Sequence, residues 1–212
     1  MNIYIQCRDG EEDFFNVAAY TVIKNTSKEV SIFKLNPKTL RESKLLIRPQ
    51  DELARYFIPH MQKYNGLALF LDCYNYVNID VYDLIAAFNT KAAIGIPQNN
   101  EKQPFLVFNC ENRHNHDKLF PNMINSMNFS RRELYFWIPQ NDKFYFHEGW
   151  TKDSIVFNDK KDDYFSNLLK ESKEEKTLFG LIKKERKINF TEVNEQTIPQ
   201  ITSNQCGCGG KK

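Results

Sequence analysis

No stretch of this 212-residue chain is apolar over the ~20 residues needed to cross a bilayer; the longest core-like run is Gly66 to Leu71. The start, Met1-Asn2-Ile3-Tyr4-Ile5, lacks a basic segment followed by a long apolar one. It reads as a strand and not as a secretory leader. Charge of one sign is not in excess: 29 basic against 27 acidic side chains leave a net +2, too weak a field to argue for nucleic acid. There is no Gly-x-Gly-x-x-Gly after the first strand and no phosphate-loop motif, so the common dinucleotide and NTP fingerprints are absent. No internal repeat is visible. The five cysteines are odd in number and follow no leader, which argues for reduced thiols in a cytoplasmic chain and against a disulfide framework.

What is present fits one globular unit. Hydrophobic residues at 41% and charged residues at 26% are ordinary globular values, and the length suits one core. Residues 1–184 read as a single α/β domain and 185–212 as a flexible polar tail ending in Cys206-Gly207-Cys208. Asn2 to Cys7, Val30 to Leu35, Leu67 to Leu71, Ala92 to Ile96 and Phe105 to Phe108 read as strands. Glu11 to Asn25 has helical spacing of Phe14, Phe15, Ala18, Ala19, Val22 and Ile23, with acids in its first turn. Further helices are expected over Pro37–Ser43, Asp51–Tyr64 (with Pro59 bending or ending it), Val81–Phe88, Leu119–Met127 and Asp162–Glu175. After about Asp142 the pattern weakens.

Alternating strands and helices predict a mostly parallel sheet with helices on both faces. Ligands of such sheets bind at the carboxyl ends of the strands, which puts Cys7-Arg8-Asp9 and Asp72-Cys73-Tyr74-Asn75 on the ligand side. Cys7, Cys73 and Cys110 each close an apolar run and read as small buried hydrophobes. Cys110, His114 and His116 match no standard zinc spacing. Tyr135, Phe136, Trp137, Phe144, Tyr145, Phe146 and Trp150 form an aromatic segment suited to sugar stacking, to a core, or to self-association into a homo-oligomer.

The stretch Arg55-Tyr56-Phe57-Ile58-Pro59, then Tyr64-Asn65-Gly66-Leu67-Ala68-Leu69-Phe70-Leu71-Asp72-Cys73, resembles the centre of glycosyltransferase family eight. The first strand with Asp9 and the following helix, the segment Asp80-Val81-Tyr82-Asp83-Leu84, and Leu106-Val107-Phe108-Asn109-Cys110 are similar to further pieces of that family, in order, over roughly residues 1–150. The resemblance implies a GT-A-like fold with a Rossmann-like nucleotide-binding half. It implies a nucleotide-sugar donor, a glycan, protein or small-molecule acceptor, and a manganese or magnesium ion on the donor diphosphate. It implies donor contacts from Asp9, Arg55, Asp72, Asn75 and Asn109, with Asp72 as a metal ligand. The residue types suit that chemistry: a hard cation neutralises a diphosphate, an arginine binds phosphate or holds a carboxylate, and an asparagine bonds sugar hydroxyls both ways.

The chain departs from the family at two places. Tyr74 stands where the Asp-x-Asp motif has its second acid, and the late metal-binding histidine has no match; His147-Glu148-Gly149-Trp150 has the wrong spacing. Three functions follow: a sugar transferase with weakened or lost metal dependence, an inactive GT-A descendant that binds a nucleotide sugar, glycan or protein, or an interaction protein. Bland roles stand beside these, with Asp9 as a cap of the first helix, Asp72 as a turn cap and Arg55 as a structural ion-pair residue.

Overall fold

The structure is a computed structural model that describes residues 1–86, 88, 91–97, 105–126, 143–146, 155–157, 163–185 and 189–192. Apolar alternation places β1 over Asn2–Gln6, and β2 (Ser31–Leu35) and β3 (Leu67–Asp72) follow the same rule. Between β1 and β2 runs α1, Glu12–Asn25, with Glu12 and Asp13 in its first turn and Lys24 in its last, the charge order that its dipole favours. The helix α2 (Pro37–Glu42) opens on Asn36, whose side chain accepts from the Lys38 N–H, and carries proline in its first turn, where no hydrogen bond is lost.

The segment Asp51–Tyr64 is not one helix. It is a 3-10 turn over Asp51–Phe57 followed by a single α-turn, α3, over Ile58–Met61. Pro59 lies in the first turn of α3, so it marks where the new helix begins. Next come β4 (Asn75–Val77), α4 (Val81–Ala86), β5 (Ile94–Pro97) and β6 (Phe105–Asn109). A short helix that was not expected, α5 (Arg113–Lys118), opens on the capping Asn112, and the helix expected over Leu119–Met127 is α6 (Pro121–Ser126). The last described elements are β7 (Lys143–Phe146), β8 (Ile155–Phe157), α7 (Asp163–Glu185) and β9 (Asn189–Glu192).

Among the described residues seven strands form one sheet in the order β7-β5-β6-β3-β1-β2-β9. β1 pairs in parallel with both β2 and β3, β2 with β9, and β5 with β7, while β6 is antiparallel to β3 and β5. The sheet is therefore mostly parallel, with β6 reversed. β4 and β8 make a separate antiparallel pair. β9 falls within the segment 185–212 that reads as a tail: backbone pairing with β2 carries four residues whose polar composition gives no strand signal. Residues 193–212, with Cys206 and Cys208, lie outside the described residues, as do His147 to Trp150.

Alternation along the strands divides the core into two layers. Tyr4, Ala68, Phe70, Leu106 and Phe108 face Leu40, Phe57, Ile58, Leu119 and Ile124. Ile3, Ile5, Leu69, Leu71 and Val107 face Ala18, Val22, Val81 and Leu84. Helices thus cover both faces, as the strand–helix order predicts. Each fully buried large side chain contributes about 1.5–3 kcal/mol. α7 packs on α1 through Phe165 and Leu168 against Val17 and Tyr20, and Glu171 accepts from Tyr20 Oη at 2.9 Å and pairs with Lys24 at 3.0 Å. No helix among the described residues is long and apolar enough to cross a membrane.

Candidate functional site

Three adjacent parallel strands, β3-β1-β2, end on one edge of the sheet, with Gln6 level with Asp72 on one side and Leu35 on the other. The loop Cys7-Arg8-Asp9-Gly10 leaves β1 there and turns into α1 with Gly10 at φ +84°, a conformation that glycine adopts without strain. Period two splits the strand-end side chains between the faces. Gln6 and Asp72 belong to the face of Tyr4 and Phe70; Cys7 and Cys73 belong to the face of α1.

The loop is tied to its neighbours by ion pairs. Arg8 Nε donates to Asp51 Oδ2 at 2.8 Å, and Arg41 pairs with the other oxygen of Asp51. Burial pushes the Asp51 carboxyl up, but the hydrogen bonds from Arg41 and Arg8 outweigh it and hold it below the ordinary carboxylate range. Asp9 does not cap α1. It accepts from Asn36 Nδ2 at 2.7 Å and Lys38 Nζ at 2.9 Å, and the Lys38 bond lowers its pKa first. Those bonds dock the loop on the start of α2.

Asp72 is different. Burial raises its pKa; the Tyr74 N–H at 3.2 Å and the charges of Arg55 and Arg8 oppose that, and the Glu11 charge adds to it. A buried carboxylate of raised pKa at a strand end is a candidate functional group. Arg55 is buried with its guanidinium 4.5 Å from the centre of the Phe70 ring, on the Asp72 face. Asn75 is fully buried and donates Nδ2 to the Asp72 carbonyl at 2.9 Å, which closes the turn between β3 and β4.

The structure thus brings Asp9, Arg55, Asp72 and Asn75 to one edge. It does not bring Asn109. β6 runs against β3 and places Asn109 opposite Leu67, at the amino end of β3, roughly 16 Å from Asp72 at the usual rise per residue. This placement was not legible, because a sequence carries no sign of strand direction. Cys110, His114 and His116 also stay apart as ligands: Cys110 is buried with Sγ toward the Phe108 carbonyl, while His116 is exposed and stacks edge-on to Tyr64. Of the aromatic segment, only the backbone strand of Phe144 to Phe146 is described.

Sequence reasoning also missed Glu11 as a hub. It receives the Arg8 N–H on Oε2 at 2.7 Å, the Tyr74 hydroxyl on Oε1 at 2.7 Å, and the Cys73 thiol on Oε2 at 3.6 Å. Burial and the Glu11 carboxylate push the Tyr74 phenol well above its ordinary range. Sequence distance hides the pairing, since residues 11 and 74 meet only once β1 and β3 are neighbours.

No family model and no curated protein matches the sequence. Solved structures do match the fold. The galactosyltransferase LgtC, in complex with donor and acceptor sugar analogues, aligns with a TM-score of 0.54 and 12% identity, covering 81% of this chain and 96% of its own. The glycosyltransferase GlyE of Streptococcus pneumoniae TIGR4 aligns with a TM-score of 0.58 and 10% identity, covering 96% and 66%. The bifunctional WbbM gives 0.54 and 10%, covering 82% of this chain and 44% of its own. This chain has a GT-A glycosyltransferase fold. The sequence expectation of that fold, with its mostly parallel sheet and two helical layers, holds.

A hard divalent ion at Asp72 fits this GT-A chain poorly. Such ions take several oxygen ligands, and among the described residues no set of three ligand groups includes Asp72. The Tyr74 hydroxyl, two residues on, is spent on Glu11.

Proposed function

We propose that the chain is a glycosyltransferase-like protein of the family-eight type, which binds a nucleotide-sugar donor at the carboxyl edge of β3-β1-β2 and directs its sugar to a hydroxyl acceptor. The observation that carries this reading is the meeting of the Arg8–Asp9 loop with Asp72 on one edge of a GT-A sheet, with Asp72 held upward in pKa by burial. The exposed Arg8 guanidinium is the cation for the diphosphate. Asp72 accepts from ribose or sugar hydroxyls. Buried Arg55 positions Asp72 through its charge and is not a donor contact itself. Asn75 shapes the turn that presents Asp72. The Asp-x-Asp motif is reduced to Asp72-Cys73-Tyr74, and manganese or magnesium is dispensable for donor binding.

One observation favours a second reading, an inactive descendant that binds a nucleotide sugar, a glycan or a protein. The bond between Tyr74 and Glu11 occupies the place of the missing acid with a structural contact. Thermal unfolding with a panel of nucleotide sugars, each with and without manganese, tests both, because a ligand of the native state raises the melting temperature by mass action. Stabilisation by one donor without metal, with slow donor hydrolysis, supports a metal-independent transferase. Stabilisation with no turnover supports the binding descendant. No shift with any donor overturns both readings and leaves the fold.

A further inference from the structure

The turn after β1 and the turn after β3 set two thiols side by side on the α1 face. Cys7 N–H bonds to the Leu35 carbonyl and Cys73 N–H to the Gln6 carbonyl, both at 3.1 Å, so each cysteine prolongs its strand's ladder by one residue. Both are almost fully buried. Glu11, the residue before α1, reaches over them, and among the described residues Cys7 Sγ, Cys73 Sγ and a Glu11 carboxylate oxygen form the one grouping of three metal-ligand atoms, all within 4.8 Å of one another. This face is opposite to the one that carries Asp72 and Arg55.

We propose that Cys7, Cys73 and Glu11 form a site for a zinc-class divalent ion, with water as the fourth ligand. Bond lengths of about 2.3 Å to sulfur and 2.1 Å to oxygen give a tetrahedral edge of about 3.6 Å between the two atom types. The Cys73 Sγ to Glu11 Oε2 distance is 3.6 Å. Thiolates select zinc over manganese or magnesium, so the donor set belongs to a different class of metal from the one expected at Asp72.

The groups around the ligands are those such a site needs. The Tyr74 hydroxyl on Oε1 and the Arg8 N–H on Oε2 hold both oxygens of Glu11, which orients the carboxylate before any ion arrives. The charges also close. Two thiolates and one carboxylate leave one negative charge in excess of a divalent cation, and Arg8 Nη1 lies 3.9 Å from Glu11 Oε1. Binding releases two protons to solvent, one from each thiol, and oxidises nothing. The ion would staple β1, β3 and the start of α1, beneath the loop that presents Arg8 and Asp9.

The test is a Co²⁺ titration of the reduced, metal-stripped full chain, read by thiolate-to-cobalt charge-transfer absorption and by reversal with Zn²⁺. One equivalent is expected to saturate the band. Cys7→Ala and Cys73→Ala should each abolish it, and Glu11→Gln, which keeps the packing, should weaken binding by at least about tenfold. The double variant Cys206→Ser/Cys208→Ser should leave the band unchanged. No band in the wild-type chain overturns the proposal, as does a band that survives Cys73→Ala but vanishes in the tail double variant. A Cys7–Cys73 disulfide in the freshly isolated chain overturns it as well. Because the wild-type band and Glu11→Gln decide the matter, a cysteine variant that fails to fold does not shield it. No donor enters the assay, so its outcome is independent of the transferase reading.

Discussion

The Tyr74 hydroxyl donates to the Glu11 carboxylate at 2.7 Å and so ties the turn after β3 to the residue that opens α1. Phe14 packs edge-on against the same ring, 4.8 Å between centroids. Tyr74→Phe keeps that packing and removes one charge-assisted bond. It should lower unfolding free energy by about 1–2 kcal/mol in urea titrations. An unchanged midpoint would mean that water replaces the hydroxyl at no cost.

Asp72 predicts the opposite sign. Its pKa is raised in the folded state, so the native chain holds a proton more tightly than the unfolded one, and stability falls as pH rises from the unfolded value through the folded one. At neutral pH the buried charge is a cost. Asp72→Asn should raise the melting temperature of the ligand-free chain by roughly 2–4 °C and weaken donor binding at least tenfold. A loss of stability in calorimetry would remove Asp72 from the list of electrostatically strained groups.

Asp51 gives a pH dependence of the usual acid kind. Its folded pKa is held below the ordinary value of 3.8 by Arg41 and Arg8, against burial. The contribution is therefore complete above the unfolded value and is lost as pH falls through the lowered folded value. Asp51→Asn should cost about 1 kcal/mol at neutral pH, since both arginines are partly exposed and screened. The gap between wild type and variant should close as urea titrations are repeated toward more acid pH.

Asn109→Ala should leave donor affinity within about twofold of wild type, whereas Asp72→Asn should not. The pair of isothermal titrations checks the direction of β6, which carries Asn109 to the far end of the sheet. Equal losses from both variants would contradict the proposed edge.

Deleting residues 186–212 removes β9 and leaves β2 as an open edge. The shortened chain should melt several degrees lower and self-associate more readily in light scattering, because an unpaired edge strand is a template for pairing. An unaltered melting temperature would show that β9 contributes nothing to the sheet.

The strands β1, β2 and β3 and the helix α1 were legible because each buries a face at its own period, two or 3.6. Asp9, Asp72 and Asn75 were legible as strand-end polar residues after apolar runs. The 3-10 turn at Asp51–Phe57 was not, because its buried residues Leu53, Ala54 and Phe57 also suit α spacing. β4, β7, β8 and β9 were missed, since strands of three or four residues carry little alternation; of the strands this short only β5 was read, from the apolar run that contains it.

By itself the amino-acid sequence determined the α/β layering, the two-faced core and the polar residues waiting at the carboxyl ends of β1 and β3, since burial periodicity is a local property. Only the tertiary structure decided which of those residues meet. Strand order and direction are settled by packing between segments distant in the chain, and these carried Asn109 away, seated β9 beside β2, and closed Cys7, Glu11, Cys73 and Tyr74 into one cluster.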